Sequence, residues 1–447
     1  MYELSKAQYF MYNLYKNGIG QTTLLTGSLL IPRRIDIKEL QRAVNELFKN
    51  NSALRLRFIE KEGKVFQDAK PYEEKEFEVK YFNNKEELNK YGEVYGTLPL
   101  ELDIVSEGEG YPESKWKSPT PSLSFVKNIV LHNIKTHSTM KKMGVLNKEK
   151  TCCEIILFEM PDGCGAFVKM YHVISDAWSM MLVANQFMSL LNGKDIESYD
   201  YKEYIDSENN YFLNDRYKRD VEFMDNEKSK CPKPTHIWPK PLTTLEGKRD
   251  TRVLDKQTTS LINEYCKANN TTPYIVFLSA ISIYARHKLN SDTFYLGSVS
   301  LNRSNHREKN TIGMFTKGIP TVFEYNKDYS LKEWNDWIKN KSITAYKHSK
   351  ARLIIGDGKI QPYDLWVSYQ NATLDVDPSV ICTQYYCNYS ADIAIFSIED
   401  RVSSGQYKLH FDHNLKVSDK ETDELFKIVI DVIKKGISDD SIKISEL

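Results

Sequence analysis

Residues 154–193 constrain the fold more than any other stretch of the chain. "EIILFEMPDGCGAFVKMYH" sets two apolar runs on either side of Pro161-Asp162-Gly163, so it predicts a hairpin of two buried strands. "DAWSMMLVANQFMSLLNG" (176–193) follows at once, ends on Asn192-Gly193 and is apolar nearly all round. A helix of that kind is predicted to be covered on every side. Buried strands joined to a buried helix call for a layered mixed fold, α/β (α+β) in class.

The flanking segments support this class. Ser5 and Gln8 form a capping box for an opening helix over 5–17, stopped by Asn17-Gly18. "TTLLTGSLLI" (22–31) reads as a strand. "DIKELQRAVNELFKNN" (36–51) reads as an amphipathic helix with Leu40, Val44 and Leu47 on one face, and "ALRLRFIE" (53–60) as a strand paired with "GKVFQ". Further on, a long helix is predicted over 272–289 and strands over 293–301, 365–371 and 407–415. The last helix starts at a Ser418/Glu421 capping box. Residues 106–150 differ in composition, with Pro, Gly and Ser first and several lysines at the end, and read as an insertion or mobile crossover. The polar, Tyr- and Asp-rich stretch 194–250 reads as a connection between two lobes. The predicted division is 1–192 and 193–447.

The chain has 447 residues, enough for two sizeable cores. Its 61 basic and 61 acidic side chains balance, which gives no electrostatic case for nucleic acid or an anionic membrane surface. Seven cysteines, an odd number without a CxxC pair, argue for reduced thiols and against a disulfide framework or a zinc site. No signal peptide and no membrane-length apolar run is present, so the expected location is the cytoplasm and no membrane partner is expected.

On the second strand of the hairpin, Val168, Met170 and His172 share one face, and Phe167, Lys169 and Tyr171 the other. His172 therefore ends an apolar face, and Asp176 opens the buried helix four residues later. Taken alone, the pair has an ordinary reading: a satisfied core histidine, and an acid favoured by the helix dipole. It also has a chemical one. A neutral imidazole can take a proton from an attacking amine or hydroxyl, while a nearby carboxylate paired with an arginine fixes the turn.

"MYHVISDAWS" resembles the HHxxxDG core of condensation domains from nonribosomal peptide synthetases, a core shared with other acyltransferases of the chloramphenicol-acetyltransferase type. Five other segments are similar to that family and occur in its order. They are "LSKAQYFMYNLY" (4–15, S-x-A-Q), "NSALRLRF" (51–58), "YKEYIDSENNYFLNDRYKRDVEFM" (201–224), "YLGSVSLNRSNHREKNTIGMFTKGIP" (295–320, G-x-x-x-x-x-R…IGxFVNTxP) and "PYDLWVSYQN" (362–371). The resemblance implies two chloramphenicol-acetyltransferase-like lobes in a V-shaped pseudo-dimer with a central tunnel. It implies His172 as the catalytic residue, and Asp176 paired with Arg55 as structural residues at the active site. It implies Tyr171, Ala177, Trp178, Ser300, Lys317, Tyr369, Gln370 and Asn371 along the substrate tunnel. Three departures from the pattern stand out: Tyr171 replaces the first histidine, Ala177 the glycine, and Thr316-Lys317-Gly318 the V-N-T triplet.

The activity so implied is amide formation between an acyl thioester, on a carrier or on CoA, and a carrier-bound aminoacyl acceptor. The domain would bind no metal and no cofactor of its own. Phosphopantetheine would arrive on partner acyl and peptidyl carrier proteins, with an adenylation domain as neighbour, and the chain is expected to be monomeric. Because no carrier or adenylation region precedes Met1, a starter domain that acylates the first amino acid with a fatty acyl group is the expected subtype, or else a freestanding enzyme. Two alternatives remain from other classes: a catalytically inactive recruitment domain, suggested by Tyr171 and Ala177, and an acyl-CoA-dependent acyltransferase on free amines or alcohols. The D-F-G-W-G segment of plant-type members of the latter class does not occur. Heterocyclization relatives put aspartate where this chain keeps His172.

Overall fold

The computed structural model describes residues 1–18, 20–108, 135–136, 138–141, 150–351, 363–370, 374, 377–390, 394–400 and 405–447. Most of the expected 106–150 insertion lies outside them, as does Asn371.

The chain forms two compact units. The first comprises Met1–Phe212, Arg303–Thr316 and Thr373–Tyr389; the second comprises Leu213–Asn302, Lys317–Ala372 and Ser390–Leu447. This corrects the expected single break at 192/193. The reason is that two later segments find their hydrogen-bond partners in the first unit. Ile381–Tyr385 pairs antiparallel with Leu24–Ile31, and Arg303 carries the countercharge of a buried aspartate. The stretch 194–250 is also more than a connection, since it holds the helices Tyr201–Phe212 and Asp215–Ser229 and the strand Gly247–Val253.

The first unit is built on a five-stranded sheet in the order Ile381–Tyr385, Leu24–Ile31, Gly163–Tyr171, Cys153–Met160, Val79–Tyr81. The predicted hairpin is its centre, and Gly163–Tyr171 pairs on both sides. One face carries Phe167, Ile156, Phe158 and Leu30, packed with Leu88 and Tyr95 of the helix Lys85–Gly96. On the other face Met180, from the helix Ala177–Leu191, lies against Gly27. That helix also packs on Ile37–Asn50. A four-stranded sheet, Tyr2–Glu3, Lys64–Ala69, Leu56–Lys61 and Ile104–Glu107, completes the unit. The strand expected from residue 53 begins at Leu56, because Ser52–Arg55 form a 3-10 turn.

The second unit is built on a six-stranded sheet in the order Lys317–Glu324, Thr293–Ser300, Leu365–Gln370, Ala394–Glu399, Lys408–Asn414, Gly247–Val253. Its core gathers the helix Pro273–Leu289, buried throughout 275–285, with Leu331–Lys347 and Asp419–Ser438. Trp366 lies across Gly297 and Gly318, where any Cβ would overlap its ring. Among the described residues, no helix is long and apolar enough to cross a membrane.

Candidate active site

The site is assembled in the first unit at the end of the central strand. Gly163–Tyr171 stops one residue before His172, whose N–H donates to the Thr23 carbonyl at 2.9 Å. The chain then turns tightly. Ile174 N–H and the Ser175 hydroxyl both donate to the Tyr171 carbonyl, at 3.1 and 3.0 Å, and Gln8 Nε2 donates to the Val173 carbonyl at 3.0 Å. Gln8 is itself held by a reciprocal amide pair with Gln67, at 2.9 and 2.8 Å. The opening S-x-A-Q segment therefore acts on the histidine loop directly, from the start of a helix whose capping box Ser5 and Gln8 also form.

His172 is half-buried. Burial lowers its pKa below 6.5, against the opposing pull of the Asp176 charge and of backbone hydrogen bonds at Ser175 and at His172 itself. The ring is therefore neutral at pH 7, the form that can accept a proton. Its Nδ1 lies 3.1 Å from Met314 Sδ.

Asp176 is the N-cap of the helix Ala177–Leu191, in extended backbone, and accepts from Ser179 N–H at 2.8 Å. It is fully buried. Its carboxylate takes Arg303 Nη2 at 2.9 Å on Oδ1 and 3.2 Å on Oδ2. Oδ2 also accepts from Phe315 N–H and the Thr316 hydroxyl, both at 3.2 Å. Burial alone would raise its pKa; the Arg303 charge and the Ser179 hydrogen bonds more than reverse this, so the carboxyl sits below 3.8 and is ionised. Arg303 continues to the carbonyls of Glu308 and Thr311 and to the Ser179 hydroxyl, and lies over the Phe315 ring at 3.9 Å. Ser179 Oγ donates to the Gly313 carbonyl and accepts from Gly313 N–H. The Tyr201 hydroxyl meets the Met314 carbonyl and lies 2.9 Å from Ser5 Oγ. A Cβ at Gly313 would overlap the Tyr201 ring.

Arg303 thus replaces Arg55 as the partner of Asp176. Arg55 ends a 3-10 turn, where its guanidinium donates to the Phe48 carbonyl at 2.9 Å and to the Lys70 carbonyl. Phe48 is in the last turn of its helix, so Arg55 satisfies a terminal acceptor there. The arginine closing the G-x-x-x-x-x-R segment was the available signal for Arg303. A second correction concerns Tyr171, expected on the tunnel. It is buried on the opposite sheet face, edge-on to Tyr15 and donating to the Leu100 carbonyl at 2.8 Å. Ala177 is exposed, and Trp178 is half-buried with its indole N–H on the Lys309 carbonyl at 2.8 Å.

The other expected tunnel residues belong to the second unit. Ser300 and Lys317 are register partners on adjacent strands; both are buried, and Lys317 Nζ donates to the Lys350 carbonyl at 3.0 Å. Tyr369 donates to Asp400 at 2.5 Å. Gln370 is half-buried at the strand end, paired with Glu399. Among the described residues, no group of three or more His, Cys, Asp or Glu side chains could hold a metal ion.

Comparison with known proteins gives concordant results. The family model described as Condensation domain matches residues 1–93 and 132–421. Bacitracin synthase 3 of Bacillus licheniformis is 24% identical over 372 residues, covering 81% of this chain and 5% of that protein. The chain spans a tenth or less of the length of the curated relatives it matches. Among solved structures, the condensation domain from Monacolin K polyketide synthase superposes with a TM-score of 0.78 at 11% identity, over 99% of this chain and 98% of that one. The starter condensation domain of rhizomide synthetase, solved in complex with C8-CoA, gives 0.74 at 13% identity over 100% and 97%. With the family's core segment carrying a half-buried neutral imidazole beside a buried Asp–Arg pair, and the family model covering most of the sequence, this chain belongs to the condensation domain family.

Proposed function

We propose that the chain joins an acyl thioester, on a carrier protein or on CoA, to a carrier-bound aminoacyl acceptor, and that it serves as a starter domain taking a fatty acyl donor. The observation that carries the reading is His172: neutral at pH 7, half-buried, and held at the end of the central strand. The amine nitrogen attacks the thioester carbonyl. As the C–N bond forms, the imidazole holds the amine and takes its proton; as the C–S bond breaks, the leaving thiolate takes that proton from the imidazolium, giving the thiol and restoring the neutral ring. The thioester supplies the driving force, so positioning and proton handling are what the protein must add. Asp176 stays on Arg303 and does not reach the reacting atoms; it shapes the turn that carries His172. The starter reading is supported by the fold match to the rhizomide domain, the protein with which C8-CoA was solved. Partner acyl and peptidyl carrier proteins and an adjacent adenylation domain belong to the same proposal, supported by the multidomain synthases among the relatives.

Two observations favour the active reading over the inactive one that Tyr171 and Ala177 suggested. Tyr171 points to the other sheet face, and an exposed alanine at the first helical position suits the helix better than glycine does. The test is mass spectrometry of products from a panel of acyl-CoA and acyl-carrier donors, each with an aminoacyl-carrier acceptor. Amide product is expected from at least one fatty donor and none from His172→Ala, whose melting temperature stays close to that of the unaltered protein. Equal product from a folded His172→Ala would refute the role.

A further inference from the structure

Among the described residues, Gly247–Val253 is an outermost strand of the six-stranded sheet, and it carries side chains that the chemistry at His172 does not use. Thr251 on this strand and His410 on Lys408–Asn414 are register partners. Leu254 N–H donates to the Tyr407 carbonyl across the ladder. Hydrogen-bonded and non-bonded pairs alternate from there, so 251/410 is a non-bonded pair, the kind whose side chains stand closer. Thr251 Oγ1 lies 2.9 Å from His410 Nδ1, and His410 Nε2 lies 2.9 Å from Glu399 Oε2 on Ala394–Glu399. A carboxylate can only accept, so it places the ring hydrogen on Nε2 and leaves the Nδ1 lone pair facing the hydroxyl. The imidazole and the carboxylate are buried, Thr251 is half-buried, and Val253, two positions along the same face, is exposed. The hydroxyl therefore stands at the open end of the line. The same alternation turns the backbone of Thr251 away from its neighbour strand. Its carbonyl takes Arg252 Nη1 at 3.0 Å, and its N–H faces the sheet edge beside its own hydroxyl.

We propose that Thr251, His410 and Glu399 form a second acyl-transfer centre, with Thr251 as nucleophile, that takes short acyl groups from activated esters and thioesters. A hydroxyl–imidazole–carboxylate line of this kind is recognised by geometry and roles, on any fold. Thr251 Oγ1 bonds to the acyl carbonyl carbon while His410 Nδ1 takes the hydroxyl proton. Glu399 orients the ring and holds the imidazolium, and the Thr251 N–H is a donor for the oxyanion. As the bond to the leaving oxygen or sulfur breaks, the imidazolium gives its proton to that atom. The products are an alcohol or thiol and an ester on Thr251. Water, deprotonated by the same nitrogen, then hydrolyses the ester to a carboxylic acid and restores the hydroxyl. No step involves His172, so the proposal stands apart from the amide-forming function.

The test uses the full chain and its His172→Ala variant, each incubated with p-nitrophenyl acetate or with acetyl-CoA, quenched in acid and mapped by peptide mass spectrometry. Acetyl on Thr251 is expected in both proteins from both probes. Thr251→Val should lose it, while Thr251→Ser, which keeps the hydroxyl, should still be acetylated at position 251. His410→Gln removes the base and should slow acetylation of Thr251 on the order of a hundredfold. Glu399→Gln should slow it as well, an effect on rate that a purely structural carboxylate would not produce in a folded protein. No acetyl on Thr251 of the unaltered protein from either probe would overturn the proposal. So would equal rates in the unaltered protein and a folded His410→Gln, since the hydroxyl would then react as any surface hydroxyl does. Acetyl from the ester alone would uphold the centre and strike thioesters from its substrates.

Discussion

The Asp176–Arg303 pair carries the largest energetic stake of any two side chains at the site. Both are almost wholly removed from water, so deleting one partner leaves a buried charge without its counterion, at a cost of about 3–5 kcal/mol. Asp176→Ala and Arg303→Ala are each expected to lower unfolding free energy by that order in urea titrations. The double variant should lose much less than the sum, because the second deletion removes the orphan that the first creates. Additive losses would mean that the pair is not coupled. His172 makes a pH prediction. Its folded pKa lies below the unfolded 6.5, so the unfolded chain takes up the proton first as pH falls. Its contribution to stability is fully present above pH 6.5 and is lost as pH drops through the lowered folded value. His172→Ala should flatten the stability profile in that window, and the acid limb of the amide-forming rate should lie below 6.5. The histidine and aspartate were legible in the sequence because spacing along a strand and at a helix start is local information. The arginine that pairs with the aspartate was not a local matter: Arg303 closes the G-x-x-x-x-x-R segment, but its pairing with a carboxylate 127 positions away is made by the fold.

Most elements with a clear period were legible. The hairpin, the helices Ile37–Asn50 and Pro273–Leu289 and the final capped helix lie where the pattern put them. The strands that were not foreseen have a physical excuse. Gly247–Val253 reads GKRDTRV and is held by its neighbour's backbone and by Arg249 on Asp412, so no apolar alternation marks it. Ile381–Tyr385 is a short edge strand defined by a partner more than 350 positions away. Alternation along Gly163–Tyr171 did settle one point at this scale: Tyr171 and His172 point to different faces, so the residue at 171 answers to the helix Lys85–Gly96 side of the sheet and not to the imidazole. Tyr171→His, which restores the family's residue, is accordingly expected to cost about 1–3 kcal/mol by removing the Leu100 hydrogen bond and ring contact area. Amide formation below the melting temperature should be unchanged. A gain in rate would place that side chain nearer the chemistry than its burial allows.

At the scale of the whole molecule, class and family were readable while the partition of the chain was not. A division at 192/193 follows the sequence, whereas the first observed unit takes two later segments of the chain, one of them because burial of Asp176 obliges Arg303–Thr316 to fold with it. That borrowing bears on how such proteins can be recombined. A chimera cut once and completed with a relative's C-terminal half would inherit a foreign arginine loop beneath a native aspartate, and a foreign edge strand beside Leu24–Ile31. A graft that keeps residues 303–316 and 373–389 from the same parent as the N-terminal half would leave both seams intact.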